Sequence, residues 1–246
     1  MRREQVELGW DGPRGTVVAY GHFGRPVLVF PAEAGRAWDL EDNGLIGAVA
    51  DLVDAGRVKL YCVDSFDAWT WSDRDAPLEE RARRHGAYES WILDHVVPWA
   101  SADCGDAREF VTVGCSMGAF HAANFALKRA DLFPLALCLS GNYDPTTWHG
   151  WGERGDAVYF NNPFDYLAGA TGDHLDWLRE QVSLLLVVGQ GAFEVSPTAA
   201  LPSTRAFADL LGSKGIRHEL DVWGYDVPHD WESWRRQLAH HLPRFC

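Results

Sequence analysis

Between residues 110 and 127 the chain changes character twice, and this stretch constrains the fold more than any other. Phe110-Val111-Thr112-Val113 is a short apolar run rich in β-branched side chains. Gly114-Cys115-Ser116-Met117-Gly118 follows, and Ala119 to Leu127 then reads as a helix. A strand that enters a helix through Gly-x-Ser-x-Gly leaves its serine on a sharp, strained corner above a sheet edge. A side chain two residues before or after that serine would collide with a neighbouring strand or helix. The turn also aims the Met117 N–H and the start of the helix at a substrate oxygen that gains charge. A Gly-Ser turn opening an ordinary helix is the plain alternative, and the flanking strand and helix favour a nucleophile. Cys115 stands beside the motif's centre, so it reads as a small packing residue.

The rest of the chain repeats the alternation. Thr16 to Tyr20 reads as an early strand, in a hairpin with the segment before Gly12-Pro13. Val27-Leu28-Val29-Phe30, Lys59 to Val63, Glu109 to Val113, Pro134 to Leu139, Val182 to Val188 and His218 to Trp223 read as buried strands. Leu45 to Val53, Glu79 to Trp99, Met117 to Arg129, Thr204 to Ser213 and Trp231 to Leu242 read as helices. Strand and helix alternating over nearly the whole length predict an α/β fold, a mostly parallel central sheet with helices on both faces. No linker divides the chain, so residues 1–246 are expected to form a single domain. The exception to the pattern is a stretch at about 141–173, rich in Gly, Asn, Asp and aromatics. Such an excursion is a lid or binding loop, or it hides short helices.

Composition narrows the partners. Of 246 residues, 47% are hydrophobic, enough for a sizeable core. The net charge of -13 repels phosphate backbones and anionic lipid surfaces, so nucleic acid and membranes are poor partners. Solubility is the plain reading of that acidity. No run of 18 apolar residues marks a membrane span, and the start Met1-Arg2-Arg3-Glu4 lacks a secretory pattern. The five cysteines, Cys62, Cys104, Cys115, Cys138 and Cys246, form no CxxC pair and are odd in number. They read as reduced thiols of a cytoplasmic protein. No cysteine or histidine cluster has metal-ligand spacing, so no metal site is expected.

A serine hydroxyl needs a base to take its proton. In the α/β-hydrolase fold the order is serine, acid, histidine, with the histidine late in the chain. His229, in Gly224-Tyr225-Asp226-Val227-Pro228-His229-Asp230-Trp231, lies on the loop entering the last helix and fits that place. His121, His218, His240 and His241 fall on helices or a strand and read as structural or exposed. The acid should follow the penultimate strand, where Glu194 is the only carboxylate. Asp226, three residues before His229, is the rival, and Asp230 reads as a helix N-terminal residue. The second oxyanion donor, beside Met117, should follow the first central strand, at the N–H of Ala32 or Glu33.

The motif Gly114 to Gly118 and the ending His229-Asp230-Trp231-Glu232-Ser233-Trp234 resemble the esterase family that includes esterase D, enterochelin esterases and the mycolyltransferases. The segment Tyr88-Glu89-Ser90-Trp91-Ile92-Leu93 is similar to that family's helix before the nucleophile strand. Phe160-Asn161-Asn162-Pro163-Phe164-Asp165-Tyr166-Leu167 is similar to a piece of its small bacterial members. The resemblance, from about Val17 onward, implies cofactor-free carboxylester hydrolysis or acyl transfer. Many members carry aspartate soon after the glycine ending the penultimate strand; here Gln190, Gly191 and Ala192 stand there and Glu194 comes later.

The chain is rich in tryptophan, and Trp69, Trp71, Trp148, Trp151, Tyr159 and Phe160 fall in loops. Aromatic walls suit an acyl or aryl ester, so Trp148, Trp151, Tyr159, Phe160 and Asn161 are candidate substrate-binding residues. Capping of the core by these rings is the equal alternative. A small-molecule ester is the expected partner. An acyltransferase, a catalytically silent scaffold and a homo-oligomer remain open at this level.

Overall fold

The computed structural model describes residues 1–9 and 14–246, and the Gly12-Pro13 turn lies outside the described residues. Eight strands form one sheet: β1 (Arg3–Leu8), β2 (Gly15–Tyr20), β3 (Arg25–Phe30), β4 (Val58–Val63), β5 (Val111–Cys115), β6 (Leu135–Leu139), β7 (Ser183–Val188) and β8 (Arg217–Val222). Their spatial order is β1-β2-β4-β3-β5-β6-β7-β8. β1 and β2 pair antiparallel, as do β2 and β4, and every other pairing is parallel. The parallel portion places the carboxyl ends of β3, β5, β6, β7 and β8 along one edge, where such sheets bind ligands.

The central strands are almost wholly buried and mostly apolar because both faces are covered. Side chains alternate across the sheet and so divide into two cores. Val17, Leu28, Phe30, Tyr61, Ala136, Cys138, Leu184 and Leu186 fill one. Val18, Val27, Val29, Cys62, Leu137, Leu139, Leu185 and Val187 fill the other. Helices α1 (Leu78–Trp91), α2 (Val97–Asp103), α3 (Met117–Lys128), α4 (Gly172–Gln181) and α5 (Ala200–Ser213) contribute to the first. Helix α6 (Trp231–His241) and the short turns near residues 40–54 cover the second. Among the described residues no helix is long and apolar enough to cross a membrane.

Two helices differ from their sequence pattern for local reasons. The expected helix over Glu79 to Trp99 is α1 and α2 joined by a π-helical turn at Ile92–Val96. Pro98 has no N–H to offer the i−4 carbonyl, and the wider turn absorbs the break. Leu45 to Val53 splits into Leu45–Ala48 and Ala50–Asp54, with Val49 non-helical at φ −119°. Gly47 lowers the helical propensity there.

The excursion at 141–173 is built from short helices at Pro145–Thr147, Asp156–Tyr159 and Pro163–Gly169, with the start of α4 at its end. Its polar composition reflects capping. Asp144 Oδ1 accepts from Thr146 N at 3.0 Å, and Asn162 Oδ1 from Phe164 N at 3.0 Å. Glu79 of α1 accepts from the N–H groups of Gly155, Ala157 and Val158 and so ties the excursion to α1. Burial alone raises the Glu79 carboxyl, but the three donors together hold it below the usual carboxylate range.

Where α1 meets α3 the core contains an aromatic box around His85. Its ring lies 5.1 Å from Trp71, 5.3 Å from His121 and 5.8 Å from Tyr88. Burial first, then repulsion from His121 and Lys128, pushes His85 well below the ordinary histidine range. The folded chain therefore keeps His85 neutral, whereas the unfolded chain protonates it near about pH 6.5. Below that pH the unfolded state binds more protons, so stability falls as pH drops. His85→Phe is expected to fold and to lose less melting temperature than the parent between about pH 7 and about pH 5. Equal slopes in a pH series of thermal melts would count against this account.

Candidate active site

The turn between β5 and α3 is as tight as its glycines require. A Cβ on Gly114 would overlap the Gly118 carbonyl, and a Cβ on Gly118 would overlap the carbonyls of Phe30 and Pro31 at the end of β3. Only glycine lets the first turn of α3 pack that closely against two strands. Ser116 takes up the resulting strain at φ 57° and ψ −120°. Its own N–H is held by the Leu139 carbonyl of β6 at 2.8 Å.

The loops after β7 and β8 meet this corner. Gln190 N donates to Gly224 O at 3.1 Å, Gly191 N to Val227 O at 2.9 Å, and His229 N to Ala192 O at 2.9 Å. These bonds lock the two loops together and bring His229 back over Ser116. His229 Nε2 lies 2.9 Å from Ser116 Oγ, although 113 positions separate them in the chain. His229 Nδ1 lies 3.1 Å from Glu194 Oε2. A carboxylate can only accept, so Nδ1 carries the proton and Nε2 presents a bare lone pair to the serine hydroxyl. Trp234 packs edge-on against the imidazole at 4.9 Å.

Glu194 is fully buried, and its second oxygen accepts from Ser140 Oγ at 2.6 Å and Gly189 N at 3.3 Å. Asp226 is exposed and makes no bond to His229. Of the two carboxylates that the sequence left open, Glu194 contacts the imidazole and Asp226 does not. Asp230 caps α6, accepting from Ser233 N at 2.8 Å.

A cavity of about 240 Å³ opens over Ser116 and His229, lined also by Met117, Glu33, Trp71 and Trp148. Met117 begins α3, where a helix leaves its first N–H groups unmatched. In the loop after β3, Ala34 N is held by Asp67 and Ala37 N by Asp64. The N–H groups of Ala32 and Glu33 take no acceptor among the described residues.

Of the aromatic candidates, Trp148 reaches the cavity, packed edge-on to Trp71 at 5.7 Å and Phe120 at 4.9 Å. Trp151, Tyr159, Phe160 and Asn161 do not. Trp151 is half exposed on the outer side of the wall and donates Nε1–H to Arg74 O at 3.0 Å. Tyr159 and Phe160 pack on each other at 5.1 Å, facing solvent. Asn161 is buried; it donates to Ala157 O at 3.0 Å and accepts from Lys128 Nζ at 3.1 Å. Its polarity is spent joining the excursion to α3. The sequence could show that these residues fall in loops, but not which way the short helices turn them.

Two contributors carry no motif. Ser140 follows β6 directly and braces Glu194. Arg81 is fully buried, and its guanidinium donates to the carbonyls of Trp71, Arg74, Ala76, Trp148 and His149. Four of those five residues line the cavity, so one side chain stitches together the wall over Ser116. Glu79-Glu80-Arg81-Ala82-Arg83-Arg84 reads as a solvated charged face. Helical spacing with Leu78, Ala82, His85 and Tyr88 nevertheless puts Arg81 on the buried side, which was the available signal.

Over residues 30–245 the chain matches the family described as Putative esterase. It belongs to that family. No curated protein matches this esterase in sequence. Solved structures share its α/β-hydrolase fold. A ferulic acid esterase is 15% identical, with 99% of this chain and 97% of that one covered and a TM-score of 0.76. S-formylglutathione hydrolase (FrmB) from Staphylococcus aureus is 12% identical, covering 99% and 96%, with a TM-score of 0.70. FphF, a Staphylococcus aureus fluorophosphonate-binding serine hydrolase, is 12% identical, covering 98% of each chain, with a TM-score of 0.71.

Replacing Arg81 tests its part in the wall of the esterase. Arg81→Met leaves five carbonyls without their donor and is expected to cost about 2 to 4 kcal/mol in chemical denaturation. It is also expected to raise KM for ester turnover more than it lowers kcat. Unchanged stability and an unchanged KM would show that the wall holds without it.

Proposed function

We propose that this esterase cleaves carboxylic esters through an acyl-enzyme on Ser116, with His229 as general base and Glu194 as its orienting acid. The observation that carries this reading is the unbroken line of hydrogen bonds from Ser116 Oγ through the imidazole to a buried carboxylate, at the floor of a cavity. Ser116 Oγ attacks the ester carbonyl carbon while its proton passes to His229 Nε2. The carbonyl oxygen becomes an oxyanion and accepts from the N–H of Met117 and of Ala32 or Glu33. Glu194 stabilises the imidazolium and does not itself take the proton. The intermediate collapses, the C–O bond to the alcohol breaks, and the imidazolium protonates the leaving alkoxide. Water then gives a proton to His229 and attacks the acyl carbon, and the released Ser116 oxygen recovers its proton from the ring.

The burial of Glu194 supports this assignment of roles. A buried carboxylate holding one ring nitrogen fixes the tautomer, which a solvated partner such as Asp226 would do less firmly. The cavity is small beside sites that hold drug-sized ligands, and Trp71 and Trp148 give it an aromatic side. A compact acyl or aryl ester suits that space.

A fluorophosphonate probe with mass mapping should label Ser116, and Ser116→Ala should abolish both the label and turnover of p-nitrophenyl acetate. Retained turnover in that variant overturns the proposal. Glu194→Gln is expected to lower kcat by about a hundredfold to ten-thousandfold, while Asp226→Asn stays within about twofold of the parent. The reverse ranking would transfer the acid role to Asp226. Adding alcohol acceptors distinguishes hydrolysis, where the free acid remains the product, from acyl transfer, where a new ester accumulates.

A further inference from the structure

Asp67, on the loop after β4, is almost fully buried and grips two segments at once. Its Oδ1 lies 2.9 Å from His121 Nε2, and its Oδ2 accepts from Ala34 N at 3.2 Å. Its own backbone is pinned, since its carbonyl accepts from Thr70 N at 3.0 Å and Ser72 N at 2.8 Å. His121 is fully buried in α3, five residues after Ser116. Its ring is wedged between Phe30 at 5.8 Å, Tyr88 at 5.3 Å, Phe120 at 5.3 Å and His85 at 5.3 Å. Among the described residues His121 Nδ1 has no partner, so the hydrogen bonding of the ring there is its contact with Asp67.

Ala34 is the residue next to the Ala32–Glu33 donors, and it sits in the left-handed region at φ 54°. A non-glycine residue holds that conformation only where its surroundings over-determine it. The Asp67 bond to its N–H is one such constraint. Phe30, against which His121 packs, is the last residue of β3 before the same loop. The carboxylate and imidazole therefore connect the segment bearing one oxyanion donor to the helix bearing the other.

We propose that Asp67, acting through His121, is a positioning residue that sets the spacing between the two halves of the oxyanion hole. This rests on the reading of Met117 and of Ala32 or Glu33 as the oxyanion donors. The spacing matters most when the carbonyl oxygen lengthens its bond and gains charge, so the pair acts on the transition state more than on substrate binding. Asp67 touches no substrate in this scheme. Asn at this position keeps one oxygen for the Ala34 N–H and offers an N–H to a bare His121 Nε2, at the cost of reversing the imidazole tautomer. It is therefore the conservative variant, while Asp67→Ala removes both bonds. His121→Phe fits the aromatic box but cuts the tie to α3.

The test measures kcat, KM and the second-order rate of fluorophosphonate labelling for Asp67→Ala, Asp67→Asn and His121→Phe in the full chain. Amide hydrogen exchange across residues 32–37 is followed in the same proteins. Asp67→Ala and His121→Phe are expected to lower kcat by about tenfold to a hundredfold, with KM changed by no more than about threefold. Labelling, whose phosphoryl oxygen needs the same donors, should slow in parallel, and amides 32–37 should exchange faster. Asp67→Asn should recover most of the loss in kcat and in exchange protection. If Asp67→Ala does not fold, His121→Phe and Asp67→Asn decide. A loss confined to KM, or a kcat within about threefold of the parent in folded variants, overturns the proposal. Unchanged exchange at 32–37 also overturns it, and does so even if the parent proves to turn over no ester. Absence of turnover and labelling in the parent alone, with exchange still accelerated, counts against the catalytic reading of Ser116 and leaves the Asp67 bridge established.

Discussion

The first turn of α3 lies so close to the ends of β3 and β5 that no side chain fits at Gly114 or Gly118. That contact fixes much of what lies above it. It forces the turn to be sharp, puts Ser116 into a positive-φ conformation and raises its hydroxyl over the sheet edge. It also brings the start of α3 alongside the loop after β3, so that Met117 and Glu33 share one cavity wall. A Cβ at either glycine would separate helix from strand, and the serine would lose both its strain and its neighbours. The parallel sheet supplies the rest, because its carboxyl edge collects the loops carrying Glu194 and His229.

Around that corner, buried polar side chains serve as fasteners. Glu194 is held by Ser140 and by the Gly189 N–H, Asp67 by Ala34 and His121, and Arg81 by five carbonyls. Each group would be costly to bury alone, and each has its partners. A charged group with several fixed partners tolerates little displacement of any of them. The loops that form the site therefore hold their shape without regular secondary structure. The tie from Glu79 to the residues starting the Asp156–Tyr159 helix works in the same way at the rim.

The apolar runs of β3, β4, β6 and β7 were legible because a strand covered on both faces is apolar on both, and these runs are too short for helices. Their division into two cores follows from period-two alternation alone. Ser116 and His229 were legible because their chemistry demands a local context, a strand-turn-helix for one and a loop before the last helix for the other. Trp151, Tyr159, Phe160 and Asn161, candidate substrate-binding residues in the sequence, lie away from the cavity over Ser116. An aromatic ring in a loop faces a cavity or the solvent according to the orientation of helices only four to seven residues long. No period in the sequence encodes that orientation.

The sequence by itself determined the alternating architecture, the elbow serine and the late histidine, since each depends on residues adjacent in the chain. The contact of His229 with Glu194 instead of Asp226, the bracing by Ser140 and the buried bonds of Arg81 and Asp67 depend on the tertiary structure. Asp226 is three residues from His229 and yet turned to solvent, while Glu194 is 35 residues away and in contact. Hydrogen bonding depends on distance and direction in space, and the docking of the loops after β7 and β8 decides those.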